Sequence, residues 1–442
     1  DIINDPILRA NILKRQKRHF LKFHPDNLRK NFADFLTAVD IDIPNYPSSV
    51  KSFSDETIRI EGSFDSSYSL AIVNKTIAKA LSKQGCNVKL YSTEGFGDFE
   101  PNLSYISDLD ILGMYENTQE FVNTTIRNLY PPRTNAIQGE NKIIGPYGWE
   151  ESVFPKEFVD FFNARLTTIF TMSEYVKKVL KNSGVCVPIV TTGIVADDII
   201  ETPSQKLDFE LPHGFRLLHI SSAFPRKGVD KLLEAFELLD ESFSLILKIF
   251  PNPHNNAIEQ LLNIGYVLTK TLQEGVFLYV KENKTILCIN KDLKKEQVRY
   301  LYENSNLLVA PSFGEGFGLP MAEAMLCNLP VLASGYGGQT DFCSDAASWL
   351  IDFDFAVAST HLSEPNSIWA VPKTSHLAYQ IKKISQTPSN KIKVKTDLAR
   401  EVILKNYSKE AVAAKILSAL NLSDSPVIAT SSPVIASEAR QS

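Results

Sequence analysis

The chain has few of the residues that mark disulfide scaffolds, zinc sites and membrane spans. Its 442 residues include only five cysteines and seven histidines. The cysteines are scattered and lack any Cys-x-x-Cys spacing, which predicts buried thiols in a reducing compartment and argues against a disulfide framework or a zinc site. No apolar run approaches the length of a membrane span, and no signal peptide is visible.

Two further classes of protein are disfavoured. A net charge of -5 argues against nucleic acid as the main partner. No Gly-x-Gly-x-x-Gly follows the predicted strand at 58–64, which disfavours an NAD-dependent oxidoreductase. The length and an apolar content of 44% instead suit two α/β domains with extensions. Because the chain begins at Asp1 without a methionine, we expect a processed form or a piece of a longer polypeptide.

The order of predicted elements divides the chain into five segments. Residues 1–55 form a basic helical extension or linker, with eight Lys or Arg and one Asp between Arg9 and Lys30. A basic amphipathic helix at an anionic membrane surface is the open alternative. Alternating strands and helices predict Rossmann-like domains over 56–200 and 201–397. A late helix at 398–420 and a disordered Ser/Pro-rich tail at 421–442 follow.

The most informative stretch runs from Pro311 to Met325. Two carboxylates, Glu315 and Glu323, bracket a glycine-rich turn that follows a buried strand and opens a predicted helix. Such a helix N-terminus presents unpaired N–H groups and a positive dipole end to an anion. One carboxylate would hold a sugar hydroxyl, the other a ribose diol, and the amides a phosphate. The stretch therefore predicts a nucleotide-sugar site.

The Glu-x7-Glu spacing around Glu-Gly-Phe-Gly-Leu-Pro resembles the retaining glycosyltransferases of family 4. This resemblance covers roughly residues 56–420 and implies the GT-B fold, in which two Rossmann-like doubly wound parallel-sheet domains face a cleft. It also implies that the helix at 398–420 crosses back to the first domain. Glu315 would contact the sugar and Glu323 the ribose. The other donor contacts would be Gly316, Phe317, Gly318, Leu319, Ser221, Ser222, Gly337, Gly338 and Gln339.

A second motif joins the first strand of the second domain to its helix. Here Lys227 and Arg226 are placed to neutralise a diphosphate leaving group, and they resemble the Lys-Gly of the family's phosphate-binding turn. The family commonly has an arginine six residues before that lysine, where this chain has Ser221. Either Arg226 supplies the second charge or the leaving group is stabilised less. A surface basic pair that caps a helix is the alternative interpretation.

Candidates in the first domain are less specific. Gly62, Asp65 and Ser66 end its first strand, where they would contact the donor or acceptor or simply cap the next helix. Many relatives place a histidine beside the transferred sugar, but this chain has none between His24 and His213. The remaining candidates lie in turn-forming, aromatic stretches, with Trp149 as either a sugar-stacking ring or a core residue. These cleft candidates are Arg127, Asn128, Trp149 and Glu150, with Glu151 beside it.

No metal or other cofactor is expected. Asp108-Leu-Asp110 and Asp352-Phe-Asp354 match the Asp-x-Asp of metal-dependent transferases, but such short matches arise often by chance. Family members of this type stabilise the leaving group with cations and helix dipoles.

The sequence thus predicts a retaining hexosyltransferase for surface polysaccharide synthesis. The turns at Ser221–Gly228 and Gly337–Cys343 resemble those of bacterial polysaccharide mannosyltransferases, which favours GDP-mannose over UDP-sugars. The acceptor is a glycan, a lipid-linked glycan or a protein. The expected location is the cytoplasm, with peripheral contact at the inner membrane face through residues 7–30 as an alternative. The rival functions are a phosphorylase or epimerase of the same fold and a non-catalytic binding module.

Overall fold

The computed structural model describes residues 57–66, 68–94, 97–102, 106, 108–116, 121–359 and 364–421. The chain divides into two units, Asp1–Lys51 and Ser52–Ser442, and all described residues belong to the second. The predicted basic extension and membrane contact, and the predicted tail beyond Asn421, therefore lie outside the described residues. Among the helices that are described, none has both the length and the apolar character that crossing a bilayer requires.

The first half of the described chain forms a parallel sheet. Its seven strands have the order β5-β2-β1-β6-β7-β8-β9. The elements are, in chain order, β1 (Thr57–Glu61), α1 (Ser69–Lys83), β2 (Asn87–Tyr91), β3 (Thr93–Glu94), β4 (Gly97–Asp98), α2 (Leu109–Met114), β5 (Tyr115–Glu116), β6 (Thr124–Arg127), β7 (Asn141–Tyr147), α3 (Lys156–Arg165), β8 (Thr168–Thr171), α4 (Glu174–Asn182) and β9 (Ile189–Thr191).

The second half forms a larger sheet. Its eight strands have the order β12-β13-β14-β11-β10-β15-β16-β17. The elements are β10 (Phe215–Ile220), α5 (Val229–Glu237), β11 (Phe243–Ile249), α6 (Ala257–Asn263), β12 (Val267–Gln273), β13 (Val276–Lys281), β14 (Lys284–Asn290), α7 (Lys295–Glu303), β15 (Leu307–Ala310), α8 (Leu319–Leu326), β16 (Val331–Ser334), β17 (Trp349–Ile351), the hairpin β18 (Phe353–Val357) and β19 (Ile368–Pro372), α9 (Thr374–Ser385), α10 (Ser389–Tyr407) and α11 (Lys409–Ala419).

Helices cover both faces of each sheet. One apolar core packs α1 and α11 on the first sheet and α7 and α8 on the second. Separate cores lie under α3 and α4 in the first domain and under α5, α6 and α9 in the second. Parallel strands buried on both faces have near-continuous apolar sequences, as β11 and β15 do. The predicted architecture of two doubly wound α/β domains is confirmed.

The sequence analysis expected a wholly parallel second sheet, but this sheet is mixed. An antiparallel hairpin, β12 and β13, extends it beyond β14. Val267 and Leu268 on the outer strand are exposed, so the segment lacks the buried run by which parallel strands are recognised. β6 also differs from prediction. The sequence analysis placed Arg127 in a turn-forming stretch, but Arg127 is the last residue of a strand, and the turn begins only after it.

The single helix predicted at 398–420 is two helices. α10 begins earlier, at Ser389, and ends at Tyr407. Ser408 then has an extended backbone, and its hydroxyl accepts a hydrogen bond from the Ala411 N–H, which starts a new helix. Since α11 packs against α1, the end of the described chain lies on the first domain.

The prediction that all five cysteines are buried is wrong. Cys86, Cys288 and Cys343 are buried, Cys327 is partly buried, and Cys186 is exposed. Cys186 lies in the connection between α4 and β9.

An ion pair between β1 and β6 is buried inside the first domain. The Nη2 atom of Arg127 lies 2.6 Å from Oε2 of Glu61, and both side chains are at most 1% exposed. Arg127 also donates hydrogen bonds to the carbonyl oxygens of Arg133 and Asn135, each at 2.8 Å. The guanidinium therefore ties two neighbouring parallel strands to the loop that follows them.

Substitution of Arg127 by Met should lower the free energy of unfolding by about 3–5 kcal/mol, because it leaves a buried carboxylate without its partner. Urea denaturation followed by circular dichroism measures the change. The double variant E61Q/R127M should recover part of the loss, since it leaves no unpaired charge. Lys156→Ala, which breaks an exposed pair with Asp160, is the control and should cost under about 0.5 kcal/mol. A double variant less stable than R127M would contradict this account.

Candidate functional site

The turn between β15 and α8 carries the predicted carboxylate Glu315. The strand ends at Ala310, and the helix begins at Leu319 with Pro320 in its first turn, where a missing N–H is tolerated. Gly318 has φ 93°, a left-handed conformation that favours glycine. The chain thus reverses sharply from the sheet edge into the helix and leaves Glu315 beside the helix N-terminus.

Glu315 is buried among cations. Its Oε1 atom accepts hydrogen bonds from Lys227 Nζ at 2.6 Å and from Ser312 Oγ at 2.8 Å. Its Oε2 atom lies 3.7 Å from Nη1 of Arg226. Burial alone would raise the pKa of Glu315, but the two cations and these hydrogen bonds lower it below its usual value. The carboxylate is therefore ionised at neutral pH.

Lys227 and Arg226 reach this carboxylate because two turns pack backbone to backbone. They belong to a short 3-10 turn, Pro225–Lys227, after β10. The Phe313 N–H donates to the Arg226 carbonyl at 2.7 Å. Gly228 has φ 70°, and a Cβ there would lie 2.0 Å from the Pro311 carbonyl oxygen. The turns after neighbouring strands β10 and β15 thus meet at the carboxyl edge of the sheet, where ligands bind in such folds.

The first domain closes against this turn. Arg226 forms an ion pair with Glu150, with 2.7 Å between Nη2 and Oε1. A Cβ on Gly314 would lie 2.3 Å from the Glu150 carbonyl oxygen, so only glycine permits this approach. The Ser173 hydroxyl, at the start of α4, donates to the Gly316 carbonyl at 2.7 Å. Sequence analysis missed Ser173, whose contact lies 143 residues away along the chain.

The glycine loop after β16 completes the site. The Gly338 N–H donates to the Glu315 carbonyl at 2.7 Å. A Cβ on Gly338 would lie 2.0 Å from the Gly316 carbonyl oxygen, and Gly337 has φ 112°. Gln339 is fully buried, and its amide donates to the carbonyl oxygens of Ser334 and Tyr336. Gln339 therefore shapes the loop from inside.

Glu323 lies one helical turn further, on α8. Its Oε2 atom accepts a hydrogen bond from the Tyr302 hydroxyl at 2.8 Å. Burial raises the pKa of Glu323 to about 7, and the negative charge of Asp198 acts in the same direction. The Tyr302 hydroxyl and the charge of Lys295 act in the opposite direction. Tyr302, on α7, is a further residue that sequence analysis missed, because no local spacing connects it to Glu323.

Ser221 does not supply the charge that the family's arginine would carry. Its hydroxyl lies 2.7 Å from His219 Nε2 and accepts from the Ala223 N–H at 3.0 Å. His219 Nδ1 lies 2.9 Å from the Val309 carbonyl, and burial lowers the pKa of His219 to about 4. A neutral His219 thus braces the turn that follows β10. Its strand position gave no signal of this role. The neighbouring Ser222 accepts at its carbonyl from Asn252.

Several predicted cleft residues are instead internal to the first domain. Arg127 is buried in its pair with Glu61, so its assignment to the cleft is corrected. Asn128 is buried too and exchanges hydrogen bonds with Asn74. Trp149 is 3% exposed, packs edge-on against Phe154 and donates to the Val153 carbonyl, which makes it a core residue. The polar atoms of these side chains are therefore used inside the fold.

The turn after β1 is braced by its own bonds. A Cβ on Gly62 would lie 2.4 Å from the Asn128 carbonyl oxygen. Asp65 accepts from Ser63 and from the Asn102 N–H, and the Ser66 carbonyl accepts from Lys75.

Phe317 is also structural, since it packs on Phe342 and Tyr407, and Leu319 packs against the same core.

The two Asp-x-Asp matches have other partners. Asp108 caps α2 by accepting from the Asp110 and Ile111 N–H groups. Asp352 and Asp354 pair with His376 and Lys373. Among the residues that the structure describes, no group of three or more His, Cys, Asp or Glu is arranged to hold a metal ion.

Known proteins resemble the chain in both sequence and fold. Residues 214–360 match the family described as Glycosyl transferases group 1. The chain is 29% identical over 209 residues to O-antigen chain mannosyltransferase B of Escherichia coli. The matched region is 45% of this chain and 51% of that protein. It is 22% identical over 169 residues to O-antigen chain mannosyltransferase RfbU of Salmonella typhimurium, covering 38% and 41%. The chain thus spans about half the length of the curated relatives it matches.

Solved structures share the two-sheet architecture at low sequence identity. A glycosyltransferase from Rickettsia africae has a TM-score of 0.57 at 16% identity, over 83% of this chain and 98% of that chain. Anabaena HepE in complex with UDP-glucose has a TM-score of 0.56 at 12% identity, over 83% and 99%. Sucrose-phosphate synthase from Thermosynechococcus elongatus has 0.55 at 14%, over 83% and 98%. Residues 214–360 therefore resemble the glycosyl transferases group 1 family, and the chain has the two-sheet fold of GT-B glycosyltransferases.

Proposed function

We propose that this chain transfers a sugar from a nucleoside diphosphate donor to a glycan acceptor with retention of anomeric configuration. The observation that carries the proposal is the cluster of Glu315, Lys227 and Arg226 at the carboxyl edge of the second sheet. Two cations and a helix N-terminus face one small space, which suits a diphosphate that gains charge as its bond to the sugar breaks.

Charge balance explains why a carboxylate stands among these cations. In the described structure Glu315 and Glu150 neutralise Lys227 and Arg226. A bound diphosphate would take over part of this neutralisation, which leaves Glu315 to accept hydrogen bonds from sugar hydroxyls. The cations then stabilise the leaving group while positive charge develops at the anomeric carbon. We propose a same-face substitution without a covalent intermediate, as expected for family 4.

The donor we propose is GDP-mannose, and the product a surface polysaccharide. Support comes from the two relatives named as O-antigen mannosyltransferases. Glu323, on the same helix, would hold the ribose diol beside Tyr302. Anabaena HepE is described in complex with UDP-glucose, so UDP-sugars belong in any donor test. We propose that Lys227, Arg226 and the α8 N-terminus bind the diphosphate, and we propose no metal.

Substitution of Glu315 by Gln, or of Lys227 by Ala, should reduce donor turnover by about 10²–10³-fold, the usual loss when one group that stabilises transition-state charge is removed. Donor hydrolysis and transfer should be measured with a panel of GDP- and UDP-sugars. The product of transfer should keep the donor's anomeric configuration by NMR.

The controls for these variants are Glu303→Gln and Lys231→Ala, which alter ion pairs on α7 and α5 outside the site. Both should keep wild-type turnover. Tight nucleotide binding without turnover of any donor would leave two explanations, a missing acceptor or a non-catalytic binding module. Phosphate-dependent turnover without an acceptor would identify a phosphorylase, and C2 inversion of the donor an epimerase.

The titration of Glu323 should appear in both binding and stability. Its pKa is raised to about 7 in the folded protein from its ordinary value of 4.5. Its contribution to the free energy of unfolding is therefore present below pH 4.5 and is lost as the pH rises through 7. The KM for the donor should rise as the pH falls through 7, because a protonated carboxyl accepts ribose hydroxyls less well.

Glu323→Gln should flatten both profiles, whereas Glu303→Gln should leave them as in the wild type. Urea denaturation without donor and donor KM, each measured between about pH 5.5 and pH 8.5, test this sign. A free energy of unfolding that increases with pH through 7, and does so only when Glu323 is present, would contradict the assignment.

A further inference from the structure

Four aromatic rings cluster beside the glycine loop of the site. Tyr336 of that loop lies with its ring centroid 5.7 Å from Phe353 and 5.2 Å from Phe355, both on β18. On its other side it lies 5.3 Å from Tyr175 of α4, and the two tyrosine hydroxyls are 3.2 Å apart. The cluster therefore includes rings from both domains.

The hairpin of β18 and β19 holds this cluster in place. Side chains alternate along a strand, so Phe353, Phe355 and Val357 share one face. On the opposite face Trp369 packs edge-on against Phe313 at 5.2 Å. The Ala370 N–H donates to the Phe313 carbonyl at 2.9 Å. Because Phe313 lies two residues before Glu315, one face of the hairpin is fastened to the catalytic turn.

The other face of the hairpin is partly open to solvent. Phe355 is 57% exposed and Val357 is 72% exposed. The Phe355 ring nevertheless contacts Tyr336 and Phe353 beside the site. Tyr336 comes directly before Gly337 and Gly338, and the Gly338 N–H donates to the Glu315 carbonyl. The exposed aromatic face is thus continuous with the donor site rather than a separate surface patch.

The chemistry of this face favours a neutral carbohydrate. Aromatic rings stack on the apolar C–H face of a sugar. The Tyr175 and Tyr336 hydroxyls, which are hydrogen-bonded to each other, add polar atoms beside these rings. The charged residues of the described hairpin and its flanks are Asp352, Asp354, Glu364 and Lys373, three carboxylates and one ammonium. An anionic membrane surface attracts basic segments, so this acidic balance argues against a lipid surface as the occupant.

We propose that Tyr336, Phe353 and Phe355, with Tyr175, form a subsite for a sugar ring of the acceptor glycan. The proposal rests on the transferase function in one respect, namely that the bound glycan is the acceptor. An acceptor sugar stacked on Phe355 would lie beside the loop that bonds Glu315, and the rest of its chain would extend along the exposed strand towards Val357.

The test is binding of neutral trisaccharides in the absence of donor, measured by ligand-observed NMR titration. The probes are α-linked mannotriose, maltotriose and chitotriose. Phe355→Ala should weaken the affinity for the preferred trisaccharide about tenfold, which corresponds to roughly 1.4 kcal/mol. Phe355→Tyr should retain the affinity, because the ring is kept. Thermal unfolding midpoints show whether each variant is folded.

Tyr379→Ala is the matched control, since this α9 ring is also 57% exposed and packs on His376 instead. It should bind as the wild type does. Equal affinities for Phe355→Ala and Tyr379→Ala, or no binding of any probe by the wild type, would overturn the subsite. Sedimentation with anionic phospholipid vesicles is a further measurement. If the wild type sediments with the vesicles and Phe355→Ala does not, while both bind sugar equally, the subsite is overturned and the face is a membrane contact.

Donor turnover, measured separately, distinguishes this proposal from the transferase function. A chain that binds a trisaccharide through Phe355 but turns over no donor would retain the glycan subsite and refute the transferase. A chain that turns over a donor but binds glycans independently of Phe355 would do the reverse.

Discussion

The ion pair between Glu315 and Lys227 joins two turns that lie 88 residues apart in the chain. Its charges are shielded from water, so separating them without a substitute is costly. The backbone enforces the same approach, because Gly228 leaves no space for a side chain beside the Pro311 carbonyl. The turns after β10 and β15 are therefore held as one unit. A ligand that enters must replace one charge with another, and the anionic diphosphate that we propose would do so.

Close backbone contacts extend this unit across the two domains. Gly314, Gly316 and Gly338 each lie where a Cβ would meet another chain segment, at Glu150, Gly148 and Gly316 respectively. The Arg226–Glu150 ion pair and the Ser173 hydrogen bond cross at the same place. The aromatic face of β18 is attached to this unit through Phe313. The charged cluster and the apolar face thus share one support, which suits the proposed reaction, because that reaction must align two sugars.

Local patterns predicted much of the fold. The residue pattern from Glu174 to Asn182 predicts a helix, and α4 has those bounds, because Ser173 caps a strongly periodic helix. Patterns were misleading where tertiary packing overrides them. Thr124–Arg127 is a buried strand, although the Pro-Pro that follows suggested a turn, and β12 lies exposed at a sheet edge. Trp149 and Arg127 belong to the interior, because their partners are supplied by Phe154 and Glu61.

By itself the sequence determined that carboxylates, cations and glycines stand in turns between apolar strands and helices. These features depend on near neighbours, such as the glycines and Pro320 that permit a sharp strand-to-helix turn. Only the tertiary structure decided which of these groups meet. Glu315 pairs with Lys227, Glu150 with Arg226, and Tyr175 with Tyr336, each across 76 or more residues by sequence number. Such contacts depend on strand order and domain closure, which no local spacing encodes.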